Sequence, residues 1–250
     1  MNEKRLLTVM GGIKFSPASL PSLVLWLDAS VITGLSDDDP VTTWADLSGA
    51  GLDAVQAVEA KQPKYKTSII NGLPVVRFDG GDALVTSTND IASDKASVFI
   101  VCTVASGGDH ILLEHGTTIS VATKPFSLSR GADNKLNALI LGAVGYNYNL
   151  SSLLVNTTPF LACGIFDKSL ETKEATQYIN GVTGGTQPID ANNTDAFGTA
   201  NSFYIGERNG ASVYLTGDIG EIIVYNSALS DLNRKKVENY LQRKWGLSFT

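Results

Sequence analysis

The hydrophobic positions of the chain fall into short runs, each bounded by clusters of glycine, asparagine, aspartate and serine. Runs of this kind, rich in β-branched and aromatic residues, are typical of β-strands separated by turns. The runs that predict strands are Leu23–Leu27, Val75–Phe78, Val98–Val104, Ile111–Leu113, Leu136–Leu141, Phe160–Phe166, Thr176–Ile179, Ser202–Ile205 and Ile219–Tyr225. The pattern therefore predicts an all-β fold.

Turn signals show where neighbouring strands reverse direction. Asn180-Gly181 directly follows the strand-like run TQYI, and a type I′ hairpin turn needs positive φ at both central residues, which asparagine and glycine tolerate. Asn71-Gly72 and Asp79-Gly80-Gly81 predict further hairpin turns of the same kind. Several antiparallel pairs are therefore expected.

The segment after the last predicted strand has the pattern of a capped helix that lies on a sheet. Ser230 is a favourable N-cap, Asp231 places negative charge in the first turn, and Gly246 ends the pattern. Its apolar stripe at helical spacing comprises Val237, Tyr240, Leu241 and Trp245. The basic residues of the segment are predicted to form a solvated face, which comprises Arg234, Lys235, Lys236, Arg243 and Lys244.

Composition and charge narrow the class of protein. Of the 250 residues, 43% are hydrophobic, which is enough for one domain with a substantial core after an N-terminal arm of residues 1–19. The net charge of −6 excludes a nucleic-acid partner, because no basic stripe can displace counterions from phosphates. No apolar run approaches the roughly 18 residues that cross a bilayer, and no signal peptide is predicted. Cys102 and Cys163 lie in apolar runs and are predicted to be free and buried.

Seven motifs follow one another in an order that carries a family resemblance. They are LVLWLDAS, TTWADLSGAG, GLPVVRFDGGD, SVFIVCTV, QYINGV, FYIGERN and LTGDIGEIIVYNSALS. In this order the chain resembles the laminin-G-like branch of the concanavalin A-like lectin superfamily, of phage or bacterial type. The resemblance implies a jelly-roll sandwich of two antiparallel sheets over residues 20–250, with one C-terminal helix. It also implies that Trp26 and Trp44 belong to the core.

Members of this superfamily include lectins, adhesion modules and glycosidases, so the residues must decide between binding and catalysis. Laminarinase-type hydrolases of this fold carry a Glu-x-Asp-x-x-Glu strand that supplies nucleophile and acid. That spacing does not occur here, and Glu171 and Glu174 are predicted to be solvated in a lysine-bearing loop. His110 and His115 lie on opposite sides of a strand by simple alternation, without companion ligands. The chain is therefore predicted not to be an enzyme.

A calcium site stays open at this stage. Superfamily members often hold calcium through aspartates and backbone carbonyls, whereas solvated loop charge is the alternative for Asp37–Asp39. This chain has Gly220-Glu221 where the family often has Asp-Glu, so one acidic position is missing. No metal or other cofactor is assigned. The acidic residues available as ligands are Asp37, Asp38, Asp39, Asp46, Asp79 and Asp82.

Aromatic and polar side chains in loop-like segments predict a glycan-binding surface. In the motif GYNYN, Tyr146 and Tyr148 could place flat rings against sugar C–H groups, while Asn147 bonds to hydroxyls. Arg208 and Asn209 in GERNG add polar contacts. Packing of both tyrosines at the base of a loop is the structural alternative.

Two functions fit these expectations. The first is a non-catalytic structural or adhesion protein of a bacteriophage virion, which displays the sandwich, with surface glycans as candidate ligands. Its N-terminal arm mixes Lys4, Arg5 and Lys14 with apolar residues and is predicted to bind other virion proteins. The second is a secreted or surface carbohydrate-binding module of a bacterium, which is an extracellular location. We expect a homo-oligomer without membrane insertion.

Overall fold

A computed structural model describes residues 15–89, 91, 93–116, 126–142, 145–153, 158–170, 174–184, 197–198, 200–209 and 211–249. In these residues, strands form two antiparallel sheets and a single helix, α1 (Asp231–Trp245), follows the last strand. The strands are β1 (Leu23–Asp28), β2 (Thr43–Trp44), β3 (Ala54–Val55), β4 (Lys64–Ile70), β5 (Leu73–Asp79), β6 (Leu84–Thr86), β7 (Lys95–Val104), β8 (His110–His115), β9 (Phe126–Arg130), β10 (Lys135–Gly142), β11 (Gly145–Leu153), β12 (Phe160–Asp167), β13 (Ala175–Ile179), β14 (Val182–Thr183), β15 (Phe203–Ile205) and β16 (Thr216–Tyr225).

The sheets pack face to face as a sandwich. The helix-side sheet runs β14-β13-β12-β7-β16-β5-β4, with β1 paired to β16, and the far sheet runs β11-β10-β9-β8-β15-β6-β3-β2. Alternate side chains of both sheets fill the space between them, including Trp44, Phe78 and Phe126, all essentially inaccessible to solvent. Each such side chain stabilises the fold by roughly 1.5–3 kcal/mol relative to an exposed one. The predicted two-sheet sandwich is confirmed.

All the predicted strand runs lie within or overlap observed strands, but several strands have no clear signal in the sequence. The hairpins predicted at Asn71-Gly72 and Asn180-Gly181 are confirmed, because the four φ angles are 48°, 77°, 49° and 78°. The hairpin predicted at Asp79-Gly80-Gly81 is wrong. This turn carries the chain from β5 in the helix-side sheet to β6 in the far sheet, so the two strands do not pair.

Strand β16 and helix α1 form the predicted closing element. Ile222 and Val224 face the core between the sheets, while Ile223 and Tyr225 face the helix, so the strand is covered on both sides. Ser230 caps the helix by accepting a hydrogen bond from the Asn233 N–H at 3.4 Å, and Gly246 ends it in the left-handed conformation. The stripe of Val237, Tyr240, Leu241 and Trp245 packs on the sheet as predicted.

A buried carboxylate fastens α1 to the sheet. Glu221 on β16 accepts hydrogen bonds from the indole nitrogens of Trp26 and Trp245, both at 2.7 Å. It also accepts from the Tyr240 hydroxyl at 2.9 Å and the Lys244 ammonium at 2.7 Å. Burial raises the pKa of Glu221, because the ionised carboxylate loses its water. The four donors offset this loss. We name this set the Glu221 network.

The predicted solvated basic face of α1 is only partly correct. Lys235, Lys236 and Arg243 are exposed, but Arg234 is buried, stacks on the Tyr178 ring at 3.8 Å from its centroid and pairs with Glu238. Lys244 binds both Glu221 and Asp28, which lie opposite each other on β16 and β1. Two of the five cations are therefore partners of buried carboxylates.

Cys102 and Cys163 are free and buried, as predicted, and burial raises the pKa of both thiols. They lie on opposite faces of the helix-side sheet, one toward the far sheet and the other toward α1. No pairing between them is possible without unfolding this sheet.

The beginning of the described chain packs against the helix layer. The Tyr225 hydroxyl donates to the Pro17 carbonyl at 3.0 Å, and Phe15 packs against Tyr240 with ring centroids 6.2 Å apart. Residues 1–14 of the predicted arm lie outside the described residues, so its boundary at residue 19 stays a prediction. Within the described ranges, no helix is long and apolar enough to cross a membrane.

Replacing Trp245 by Ala should destabilise the domain by about 3–5 kcal/mol, because a fully buried ring leaves a cavity. The loss of its hydrogen bond to Glu221 acts in the same direction. Urea denaturation followed by circular dichroism measures the change. Leu232→Ala on the same helix is the control, since Leu232 is 67% exposed. Equal unfolding midpoints for the two variants would contradict a supporting role of α1.

Candidate functional site

The outer face of the far sheet carries a polar row across adjacent strands. Tyr204 on β15 lies opposite Glu114 on β8, and Glu114 lies opposite Ser127 on β9. These residues face outward, because the neighbours Leu113 and Phe203 belong to the core between the sheets. Glu114 and Ser127 are inaccessible to solvent, so Tyr204 is the residue of this row that a ligand can reach.

Glu114 anchors the row from below. Its carboxylate is inaccessible to solvent, and Oε2 accepts a hydrogen bond from Arg208 Nε at 3.2 Å and pairs with that guanidinium. Burial raises the pKa of Glu114, whereas Arg208 and the Asn209 N–H hold it down. Its Oε1 and the Ser127 hydroxyl have no hydrogen-bond partner among the described residues.

Three partly exposed residues form the rim above Glu114. The Asn209 side-chain amide donates to the Tyr204 hydroxyl at 2.9 Å, and the Arg208 side chain remains 17% exposed. Burial raises the pKa of Tyr204, which is therefore a neutral phenol at physiological pH. We name Glu114, Tyr204, Arg208 and Asn209 the Tyr204 cluster. It combines an aromatic ring, an amide and an oriented guanidinium, which are the groups that recognise sugar hydroxyls and C–H faces.

The structure separates the predicted site residues into two places. The backbone puts Tyr146, Asn147 and Tyr148 in β11, so the prediction of a loop for GYNYN is wrong. Strand β11 lies four strands from β15, or about 19 Å at the usual spacing of strands. In the backbone register Tyr148 lies opposite Leu139, which lies opposite Ser127.

Two residues of the Tyr204 cluster, Glu114 and Tyr204, were not predicted. Each lies inside an apolar strand run, and a polar residue flanked by buried ones is the only signal in the sequence. Their partners Arg208 and Asn209 were predicted from the motif GERNG. Glu114 and Arg208 are 94 positions apart, so their spacing in the sequence gives no sign of the contact. The two residues meet because β8 and β15 are neighbours in the far sheet.

The histidines differ from their prediction. A register shift between Ile111 and Leu113 adds one residue to β8, so His110 and His115 both face inward instead of lying on opposite sides. His110 accepts from the Thr216 N–H at 3.1 Å and donates to the Gly107 carbonyl at 2.7 Å. His115 packs between the rings of Phe126 and Phe203. Both therefore contribute to packing at the sandwich interior.

The acidic residues considered for catalysis or calcium have other partners. Glu174 is buried and not solvated as predicted, while Glu171 lies outside the described residues. Asp37 accepts from the Thr67 N–H and pairs with Lys66, both at 2.8 Å, which lowers its pKa to about 2. Asp46 accepts from the backbone N–H groups of Trp26 and Leu52. In the described part of the chain, no group of three or more His, Cys, Asp or Glu could hold a metal ion.

Asp82 makes stability depend on pH. Its carboxylate accepts from the Asp79 N–H at 3.0 Å, and burial beside Asp79 raises its pKa from 3.8 to about 6. The folded state therefore binds a proton at Asp82 more tightly than the unfolded state does. The protonated carboxyl stabilises the fold at low pH, and this contribution is lost as the pH rises from about 4 through 6.

The melting temperature of the Asp82→Asn variant should rise relative to that of the wild type between pH 4 and pH 7, because the amide carries no charge. Exposed Glu59→Gln is the control, and a gain independent of pH would contradict the assignment.

Solved structures of two proteins share the fold. A sialidase of Trypanosoma rangeli in complex with sialic acid superposes with a TM-score of 0.63 at 15% identity, over 90% of this chain and 33% of the sialidase. The binding domain of Paraclostridial Mosquitocidal Protein 1 gives a TM-score of 0.61 at 12% identity, over 90% of this chain and 53% of that one. The chain thus spans about a third of the length of the sialidase.

The family comparison is more specific. No curated protein sequence matches the chain. Residues 78–233, which include β6 to β16 and the start of α1, match the laminin G family model of the concanavalin A-like lectin/glucanases superfamily. These residues are more than half of the chain and include every member of the Tyr204 cluster. The chain therefore belongs to the concanavalin A-like lectin/glucanases superfamily.

Proposed function

We propose that this lectin-like sandwich is a non-catalytic glycan-binding protein whose binding surface is the Tyr204 cluster. One observation carries the proposal: Arg208 is held in place by a buried carboxylate while its side chain remains partly exposed beside Tyr204 and Asn209. A guanidinium that is already oriented loses little rotamer freedom when a ligand hydroxyl accepts its hydrogen bond.

The chemistry of the rim matches a saccharide. A sugar ring offers an apolar C–H face, which can lie on the half-buried Tyr204 ring, and equatorial hydroxyls that the Arg208 and Asn209 side chains can reach. The carboxylate of Glu114 serves as a positioning group for Arg208. The lectin fold and the structure of a sialidase with sialic acid support glycans as the ligand class.

Absence of turnover is part of the proposal. The Glu-x-Asp-x-x-Glu spacing of hydrolases of this fold does not occur in the sequence. Glu114 is engaged with Arg208 and lies below the rim, so it is badly placed to transfer a proton to a glycosidic oxygen. The likeness to the sialidase is one of fold.

Arg208→Ala and Tyr204→Ala should each weaken binding to a glycan identified on an array by at least ~10-fold, which is about 1.4 kcal/mol. Isothermal titration calorimetry measures the change, and reducing-end release in the same mixtures tests for turnover. Arg243→Ala is the matched control, since Arg243 is an exposed arginine on α1. Unchanged affinity in both site variants, with all proteins folded, would contradict the proposed binding site. Release of reducing ends would contradict the non-catalytic assignment.

We further propose that the protein is displayed on a bacteriophage particle and that its N-terminal arm anchors it there. In this proposal it forms a homo-oligomer, so contacts between its own copies also hold it in place. The base of the arm supports this idea, because Phe15 borders a groove of about 490 Å³ with a cationic rim on α1. The rim comprises Lys236, Arg243 and Lys244; of these, Lys236 and Arg243 are exposed, whereas Lys244 already binds Glu221 and Asp28. An acidic segment of another virion protein has the charge to fit there. A secreted or surface module of a bacterium is the alternative.

Deleting residues 1–14 should leave the sandwich folded, since the packing of Phe15 and Pro17 is kept, but should abolish incorporation into particles. Quantitative mass spectrometry of purified particles gives the occupancy, with Arg243→Glu as a second variant that leaves the arm intact. Full occupancy of the truncated protein would rule out anchoring by the arm. Saturable binding of the free full-length protein to one polysaccharide, without particle association, would favour the alternative.

A further inference from the structure

A second concave surface lies on the opposite side of the sandwich from the Tyr204 cluster. On the outer face of the helix-side sheet, strands β5, β7 and β16 continue past the end of α1 and leave a cleft of about 600 Å³. Small-molecule sites have volumes of about 300–1,000 Å³. The cleft is open to solvent, so a ligand needs no rearrangement to reach it.

The floor of the cleft is a rigid ion pair. Arg77 Nε and Nη2 donate to the two carboxylate oxygens of Asp218 at 2.6 and 2.9 Å, and the Thr103 hydroxyl donates to the same carboxylate at 3.3 Å. The three residues lie side by side, since Asp218 is opposite Arg77 on one neighbouring strand and opposite Thr103 on the other. A bidentate pair of this kind holds both side chains in one geometry.

The floor keeps hydrogen-bonding capacity for a ligand. Arg77 Nη1 has no partner among the described residues, and the side chain is 43% exposed. Asp218 Oδ1 accepts only one hydrogen bond from those residues, and the Thr216 hydroxyl borders the same cleft. Donors and acceptors thus lie next to each other over a few ångströms.

The walls are aliphatic, and the charged lining residues are the Arg77–Asp218 pair and the carboxylate of Asp79. The aliphatic lining residues are Ile70, Val104, Ala105 and Pro159. An anionic sugar would meet an ion pair that is already neutralised and the additional carboxylate of Asp79, so it gains no counter-ion. A neutral molecule with adjacent hydroxyl groups and an apolar C–H face gains contacts with both the floor and the walls.

We infer that this cleft is a second saccharide site, specific for an uncharged sugar unit, and that the protein binds two glycan segments at once through opposite faces of the sandwich. The inference rests on the proposed glycan-binding function and extends it from one site to two. The sites lie on different sheets, so one glycan unit cannot occupy both, and the protein can cross-link two chains.

The test uses the full chain and neutral oligosaccharides from a glycan array, with binding stoichiometry measured by calorimetry. The wild type should bind two equivalents. Ala105→Trp, which fills the cleft from a partly exposed position, and Arg77→Met, which removes the floor donors, should each bind one. The same two variants should no longer precipitate a multivalent neutral polysaccharide, because they cannot cross-link it. Arg208→Ala should still bind one equivalent, in the cleft. Lys95→Ala, on the far part of the helix-side sheet, should still bind two.

The outcomes separate this inference from the proposed function. One equivalent in the wild type, lost in Arg208→Ala but kept in Ala105→Trp, would leave the Tyr204 cluster as the site and overturn the cleft. One equivalent that is lost in Ala105→Trp and kept in Arg208→Ala would instead remove the Tyr204 cluster and overturn the two-site model. If no saccharide binds, both fail together. Ala105→Trp also guards against misfolding, because it leaves the Arg77–Asp218 pair intact.

Discussion

The burial of one negative charge, on Glu221, constrains the whole helix side of the molecule. A carboxylate in the interior is tolerated only when donors replace its water, and here those donors come from two separate parts of the chain, β1 and α1. Trp26 and Glu221 are 195 positions apart. The carboxylate can be satisfied only when the first strand, the last strand and the helix are all in place, so their assembly is cooperative.

The position of α1 divides the helix-side sheet into two regions with different chemistry. Where the stripe from Val237 to Trp245 covers the sheet, the outward residues are buried, and apolar residues surround Glu221. Beyond Gly246 the same strands carry Arg77, Thr103 and Asp218, which are polar and paired with one another. The length of α1 thus decides how much of the outer face of the helix-side sheet remains available for ligands.

The fold was largely predictable because it rests on local patterns. Alternation and turn residues identified nine strand regions, and capping residues identified the helix from Asp231 to Trp245. Strands with few apolar residues, such as β4 and β11, escaped notice, since polar and glycine-containing runs look like loops. Arg208 and Asn209 were named from their motif. Glu114 and Tyr204, which hold these two side chains in place, were not predicted. A buried carboxylate such as Glu114 can be distinguished from a solvated one only when its partner elsewhere in the chain is known.

Gly220 determines which residues reach each surface of the last strand. The register shift between Ile219 and Glu221 inserts this one residue, so that Asp218 and Glu221, three positions apart, both point toward the helix side. A Cβ atom at Gly220 would lie 2.6 Å from the Trp245 ring, which explains why the inserted residue has no side chain. If Gly220 were instead paired as a regular strand residue, inside and outside would be exchanged along the rest of β16 and the charge of Glu221 would enter the hydrocarbon interior. The bulge at Gly220 therefore decides which side chains of the last strand reach the space between the sheets and which reach α1.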